Sequence, residues 1–317
     1  MASRYLRDDP QYARLVAREA AVLVPEWELQ WHNVQPDPTT FSFSGADQIV
    51  RFARAHGMLV RGHALIWHEA TPFWLPGVVT SENADSVMRA HIAALVARYA
   101  GQIRSWDVVN EAIRLEDGRA DGLRNSLWLQ LLGPGYIAAA FRTSHAADPL
   151  AELVYNETGL EYATASSARK RDAVLGLLRE LTAQGVPVHA LGVQGHVLAD
   201  QPLADSVAMT AFLDSVRGLG LKVIVTELDV REKGLPADTV TRDSVIALLL
   251  RRFIGPVLSH PATEGVVVWG LADKYSWIEK YFPRPDGLAT RPTLYDDSLR
   301  PKRARDALAQ VFGRLNP

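Results

Sequence analysis

The sequence predicts an α/β chain of repeated strand–helix units, the kind that closes into a barrel. Three observations predict it. Short apolar, β-branched runs recur every 30 to 50 residues or so, the spacing of strand–helix repeats with decorated loops. Amphipathic segments with readable ends lie between those runs. No Pro-, Ser- or Gly-rich linker divides the 317 residues. A length of 317 suggests about two domains at roughly 150 residues each, yet α/β barrels commonly spend 250 or more on one core. The expectation is therefore a single domain over 1–317.

The expected strands are Ala21–Val24, Leu59–Ile66, Ile103–Val109, Leu153–Tyr155, Ala190–Val193, Lys222–Thr226 and Gly265–Trp269. Among the helices, Asp9-Pro10 can cap and open one that runs through Ala20, because proline at the first helical position lacks only an N–H that would have no partner. Ser44 with Asp47 reads as a capping box, and Gly57 closes that helix. Further helices are expected over Glu82–Ala100, before Gly101, and over Ser166–Ala183, before Gly185. The strand count is seven. A closed eight-stranded barrel needs a first strand, since an open edge leaves unpaired N–H and C=O groups. Either Ser3–Leu6 forms a stub or the first strand is missing from this chain, and absence is the favoured expectation.

Composition excludes several classes. Hydrophobic residues are 48% and charged residues 22%, ordinary for a globular chain and wrong for a disordered or low-complexity one. Lys plus Arg is 34 against 36 Asp plus Glu, so the chain lacks the basic surplus of a protein that neutralises nucleic-acid phosphates. The absence of Cys removes disulfides, thiolate metal sites and cysteine nucleophiles together. Apolar runs such as Ala20–Val24 and Ile246–Leu250 fall far short of the roughly 18 residues of a spanning helix. No targeting segment is visible after Met1. The expectation is a secreted or periplasmic protein if a leader was removed, and a cytoplasmic one otherwise.

The most informative stretch is Ser105-Trp106-Asp107-Val108-Val109-Asn110-Glu111-Ala112. An apolar strand runs directly into Asn-Glu at its carboxyl end, where barrel enzymes place reacting groups. Val223-Ile224-Val225-Thr226-Glu227-Leu228-Asp229 delivers a second carboxylate in the same way. Two glutamates that end two strands can flank one cleft. Retaining glycosidases need two carboxyls about 5–5.5 Å apart, one protonated to assist the leaving oxygen and the other ionised to attack the anomeric carbon. Capping or surface pairing would explain either glutamate alone but explains both in this setting poorly. His63 and His68 are five residues apart with no converging cluster, and no glycine-rich phosphate loop follows a strand, so neither a metal nor a nucleotide cofactor is expected.

These stretches also carry a specific resemblance. Gly62-His63-Ala64-Leu65-Ile66-Trp67-His68, Trp106 to Ala112, Val193-Gln194-Gly195-His196, Thr226-Glu227-Leu228-Asp229 and Trp269-Gly270-Leu271-Ala272-Asp273-Lys274-Tyr275-Ser276-Trp277 resemble family 10 of the glycoside hydrolases, the endo-β-1,4-xylanase family, in its own order. The likeness runs from about Asp8 to about Val311. It implies a (β/α)8 TIM barrel, here with its first strand missing or reduced to a stub, and a retaining double displacement on β-1,4-linked xylan or a related β-glycan. It further implies Glu111 as acid/base and Glu227 as nucleophile. Asn110 would hold the sugar 2-hydroxyl, and His196 would touch Glu227 with Asp229 behind it. His63 and Gln194 would hold sugar or carboxylates, and Trp67, Trp269 and Trp277 would wall the −1 subsite. His68 is read more as a structural neighbour of the cleft than as a ligand contact.

The chain also departs from the family pattern. Where the family reads Glu-Asn-x-x-Lys-Trp, this chain has Glu26-Trp27-Glu28-Leu29-Gln30-Trp31. Trp27 and Gln30 thus replace an Asn and a Lys that hold the sugar at subsite −2, and Ala70 stands where a Gln is common. The run Asn156-Glu157-Thr158-Gly159 replaces Asn-Asp-Tyr-Asn. The expectation is a narrowed or re-specified −2 subsite that still includes Glu26, Trp27 and Gln30. The rival readings are a carbohydrate-binding barrel without turnover and a transglycosylase acting on a modified β-glycan. The expected partner is an oligo- or polysaccharide; the sequence leaves the oligomeric state open.

Overall fold

The computed structural model describes residues 1–315. The chain forms two compact units, one of Met1–Glu157 with Ala173–Leu191 and the other of Thr158–Asp172 with the residues from Gly192 onward. Each is described by itself.

The first unit is built on parallel strands. β1 (Val22–Leu23) pairs with β2 (Leu59–Gly62), which pairs with the lower half of a longer strand, Ser105–Asn110. Between them in sequence, β3 (Ile66–Trp67) pairs with the upper half of that strand, which is β4. β5 (Glu152–Glu157) lies along the other side of β4, with a register shift between Asp107 and Val109. Every residue of β4 and β5 is buried, as in a parallel sheet covered on both faces. The polar residues in them, Ser105, Asp107, Asn110, Glu152, Asn156 and Glu157, are the ones that need explaining.

The helices of this unit follow their caps. Asp9 accepts from the N–H groups of Gln11 and Tyr12 and opens Pro10–Glu19, whose Tyr12, Leu15 and Val16 are buried. Ser3–Asp8 is helical, so the alternative of a strand stub at Ser3–Leu6 is wrong, and no strand precedes Val22 among the described residues. The reason is local: Asp9 ends that turn, and Asp9-Pro10 immediately starts the next helix. The capping box at Ser44 does not form either. The helix Ser44–Ala55 has Phe43 at its N-cap with no side-chain cap, and the Asp47 carboxylate instead takes Arg98 Nη2 at 2.6 Å and the Tyr99 hydroxyl at 2.8 Å. A tertiary partner bearing charge outcompetes a local backbone donor. The helix expected from Glu82 spans Ala84–Arg98.

In the second unit, β7 (His196–Leu198) pairs with β8 (Lys222–Arg231), which pairs with β9 (Thr263–Val268), all parallel. The boundary between the units falls inside β6 (Ala190–Val193). β8 runs five residues beyond the expected Thr226 and so carries Glu227, Asp229 and Arg231 as strand residues. The flanking helices include Ser206–Gly218, Thr239–Leu258 and Arg303–Leu315, the first two capped by Asp205 and Asp238. Six of the seven expected strands are present with ends moved by a few residues; the seventh, Leu59–Ile66, is broken into β2 and β3, and β7 was not expected. Among the described residues no helix is long and apolar enough to cross a membrane.

One position in the first unit is fixed by close approach. A Cβ on Gly62 would lie 2.1 Å from the Trp106 ring. Both residues are buried, and they face each other in the β2–β4 register. Gly62→Ala is expected to lower unfolding free energy by about 1–3 kcal/mol, the usual cost of overpacking, read from the denaturant midpoint at unchanged slope.

Candidate active site

The expected site residues divide between the units: Glu26, Trp27, Gln30, His63, Trp67, Asn110 and Glu111 fall in the first, and Gln194, His196, Glu227, Asp229, Trp269 and Trp277 in the second.

In the first unit the organising group is Asp107. Its two oxygens take Arg61 Nη2 at 2.6 Å and His63 Nδ1 at 3.0 Å, and Arg61 Nη1 also donates to Ser105 Oγ at 2.8 Å. All four residues are buried. With Nδ1–H donated to Asp107, the tautomer and plane of His63 are set. Neither Arg61 nor Asp107 was singled out from sequence, because strands buried on both faces show no alternation that would mark them. At the top of β4, Asn156 Nδ2 donates to Asn110 Oδ1 at 2.9 Å, which fixes how the Asn110 amide is turned. β3 brings Trp67 opposite Asn110, and the Trp67 indole N–H is buried without a protein acceptor.

Glu111 leaves the strand in the left-handed region, at φ 56°. Non-glycine residues rarely sit there, and such residues cluster at functional positions. Its backbone is held from both sides: its N–H donates to Asn156 O at 2.9 Å, and Arg124 Nε donates to its carbonyl at 2.8 Å. Arg124 Nη2 also stands 3.7 Å from the Glu111 carboxylate. The loop beyond is fixed by Glu157, whose carboxylate accepts the Ile113 N–H at 3.1 Å and the Tyr155 hydroxyl at 2.5 Å. Sequence reasoning passed over Arg124, thirteen residues downstream in a loop. Burial, with Arg124 beside it, pushes the His68 imidazole down to about 4, so it is neutral near pH 7. Burial and the neighbouring Glu111 charge raise the Glu69 carboxyl.

The altered segment follows β1. Gln30 is buried, and its amide nitrogen donates to the Glu26 carbonyl at 3.0 Å. Glu26 is buried with its carboxylate 3.6 Å from the Met1 amino group. Trp27 is half-buried, its carbonyl accepting from Asn33 Nδ2 at 2.8 Å, and Ala70 is buried.

In the second unit the Glu227 N–H donates to Gln194 O at 2.7 Å, which ties the middle of β8 to the segment after β6. His196 then spans two carboxylates, with Nε2 3.2 Å from Glu227 Oε2 and Nδ1 2.8 Å from Asp229 Oδ1. The Trp277 indole N–H donates to the other Asp229 oxygen at 2.8 Å, and Asp229 is buried. Trp277 lies against the His196 ring at 5.0 Å between centroids, and buried Trp269 meets it edge-on at 6.4 Å. Behind them, Gly195 at φ 80° turns the chain where a Cβ would lie 2.9 Å from Val225, and its N–H donates to the buried Glu161 carboxylate at 2.8 Å. The buried pair Lys302–Asp273, at 2.8 Å, anchors the segment that carries Trp277.

Burial works against a charged His196, but the adjacent Asp229 and Glu227 outweigh it and raise the imidazole well above its ordinary value. A cation there favours an ionised Glu227. Among the described residues no group of three or more His, Asp or Glu side chains is placed to hold a metal ion.

Residues 1–311 match the model of glycosyl hydrolase family 10. The chain belongs to that family. It is 34% identical over 311 residues to a beta-1,4-xylanase of Dictyoglomus thermophilum, covering 92% of this chain and 82% of that one. It is 33% identical to endo-1,4-beta-xylanase B of Paenibacillus barcinonensis, covering 94% and 90%. Among solved structures, xylanase 10B of Thermotoga petrophila RKU-1, in complex with xylobiose, matches with a TM-score of 0.88 at 31% identity over 99% of this chain and 91% of that one. Xylanase 10B of Thermotoga maritima matches with the same score and identity. A likeness of that extent shows the fold, and the (β/α)8 class expected from the sequence holds for this family 10 glycoside hydrolase.

The His196 arrangement has a direct spectroscopic consequence. Both ring nitrogens are expected to carry protons at pH 7, and Asp229→Asn is expected to bring the titration back towards the ordinary value near 6.5. Nitrogen-15 chemical shifts of the ring read both. Because the folded value is raised, the stabilisation His196 contributes is complete below pH 6.5 and fades as pH rises through the folded value.

Proposed function

We propose that this family 10 enzyme cleaves β-1,4 linkages of xylan or a closely related β-glycan by double displacement, with Glu227 as nucleophile and Glu111 as acid/base. The observation that carries the reading is the His196 bridge: it gives Glu227 a cationic neighbour and so favours the ionised state that attack requires. Relatives named as xylanases supply the substrate class. Glu111, at the end of β4 beside Asn110, protonates the departing oxygen and then takes the proton of the incoming water. Asn110, its amide fixed by Asn156, donates to the sugar 2-hydroxyl, a contact that strengthens as the ring flattens. Trp67, Trp269 and Trp277 offer aromatic faces to the C–H faces of the ring.

Glu111→Ala is expected to keep its first step on aryl glycosides with excellent leaving groups and to regain turnover with added azide, which attacks the glycosyl–enzyme without needing a base. Glu227→Ala is expected to be inactive on the same substrates, with or without azide. Pre-steady-state bursts and product analysis check both, and a Glu111→Ala variant indifferent to azide removes that glutamate from the acid/base role.

The altered segment points to a changed subsite −2. A lysine there offers a charge and three donors; Gln30 is buried and its amide is turned onto the Glu26 carbonyl. Trp27 replaces an amide with an indole, and Ala70 offers no polar atom on its side chain. The enzyme is expected to favour an aryl β-xylobioside over the aryl β-xyloside by less than about tenfold in kcat/KM, since a second sugar gains few hydrogen bonds. A preference of several hundredfold restores an ordinary −2 site.

A further inference from the structure

Beyond Asp229, the second unit contains a cavity of about 250 Å³ that the roles above leave without a function. Its lining includes Arg231, Glu232, Lys233, Tyr281, Phe282 and Arg284. The volume is just below the range of drug-sized ligand pockets, room for one sugar ring and not for a chain.

The charges around it do not cancel. The Arg284 guanidinium is already engaged by Asp286 and by the carbonyls of Glu232 and Leu235. The Glu232 carboxylate is engaged by Arg242 and by the Arg291 N–H. Arg231 and Lys233 are left over. Among the described residues, neither side chain forms an ion pair or a hydrogen bond; the Arg231 guanidinium lies 3.3 Å over the Phe282 ring, with its Nε buried and without an acceptor. Burial lowers the Arg231 guanidinium from its ordinary value, more than nearby Asp229 and Asp200 favour its charge, and Asp229 already accepts from His196 and Trp277. The walls are aromatic and open to solvent, with Tyr281 45% and Phe282 39% exposed. Arg231 is held only against the Phe282 ring and, among the described residues, Lys233 has no partner, while Lys280 lies over the Tyr281 ring; two cations with no carboxylate of their own, beside partly exposed aromatic side chains, suit a ligand that is both anionic and carbohydrate-like.

The position agrees with that. Glu227, Asp229 and Arg231 alternate along β8, so Arg231 stands about 13 Å along the strand from the nucleophile position, four residues at ~3.3 Å each. Trp277 links the two places: it donates to Asp229 and meets Phe282 edge-on at 5.3 Å.

We propose that this cavity is a subsite for a carboxylate-bearing sugar, a uronic acid unit or branch of the glycan, held by Arg231 and Lys233 against Tyr281 and Phe282. The proposal rests on the glycan-hydrolysing reading for its choice of ligand, and its test separates the two. The intact enzyme is assayed on a β-1,4-xylo-oligosaccharide with and without a glucuronic acid branch, and free glucuronate, xylose and inorganic phosphate are titrated by calorimetry. The expected result is about a tenfold higher kcat/KM on the acidic substrate, a ratio brought to near one by Arg231→Gln and halfway by Lys233→Gln, with glucuronate binding that Arg231→Gln abolishes. Binding of glucuronate without turnover of either oligosaccharide supports the subsite and sinks the hydrolase reading. Turnover with an acidic-to-neutral ratio unchanged by both variants overturns the subsite and leaves the hydrolase reading standing. Phosphate binding as tightly as glucuronate overturns it as well, by revealing an unselective anion patch.

Discussion

The chemistry of the second unit depends on His196 held between Asp229 and Glu227. A carboxylate buried as deeply as Glu227 would ordinarily take up a proton, because burial penalises charge. Here the penalty is shared along a chain, from the Trp277 indole to Asp229, to the imidazole and then to Glu227. Each link gives a buried polar atom a partner. The backbone contributes too: the Glu227 N–H is tied to Gln194, and Gly195 permits the turn that presents His196.

The first unit solves a similar problem with a different residue at its centre. Asp107 sits in a strand buried along its whole length and is neutralised by Arg61 and His63 from β2 and the residue just beyond it. β4 thus carries a structural carboxylate at Asp107 and is followed directly by a half-buried one at Glu111. The difference is the left-handed turn at Glu111, which lifts its side chain out of the β4 alternation and is braced by Asn156 and Arg124. The surroundings of the two glutamates thus differ in kind. Glu227 faces an imidazole that its two carboxylate neighbours raise above the ordinary value, and Glu111 has a guanidinium at 3.7 Å and the lowered His68 imidazole nearby.

The strands were legible because buried parallel strands are apolar throughout and end where polar residues begin. Glu111 was legible for the same reason, standing just past the end of β4, whereas Glu227 interrupts an apolar run that β8 carries on to Arg231. What could not be read is instructive. Ser3–Leu6 was open to a strand stub but is helical, since a few residues with no apolar alternation take their state from the Asp9-Pro10 boundary. Asp47 looked like a capping residue and instead serves Arg98 and Tyr99, more than fifty residues away. Arg61, Asp107 and Arg124 carried no visible signal, because a buried charge is distinguishable from a surface one only through its partner.

By itself the sequence determined the strand–helix alternation, the strand end at which Asn110-Glu111 falls, the strand that carries Glu227, and the family the chain belongs to. These are local properties, set by side-chain periodicity and by residue types in fixed short spacings. Only the tertiary structure decided which polar groups meet: that Asp107 neutralises Arg61, that Arg124 braces Glu111, that Gln30 turns onto Glu26, and that Arg231 and Lys233 border one cavity. Charge and hydrogen bonding act between groups distant in sequence, over a few ångströms in a low-dielectric interior, and the fold alone sets those distances.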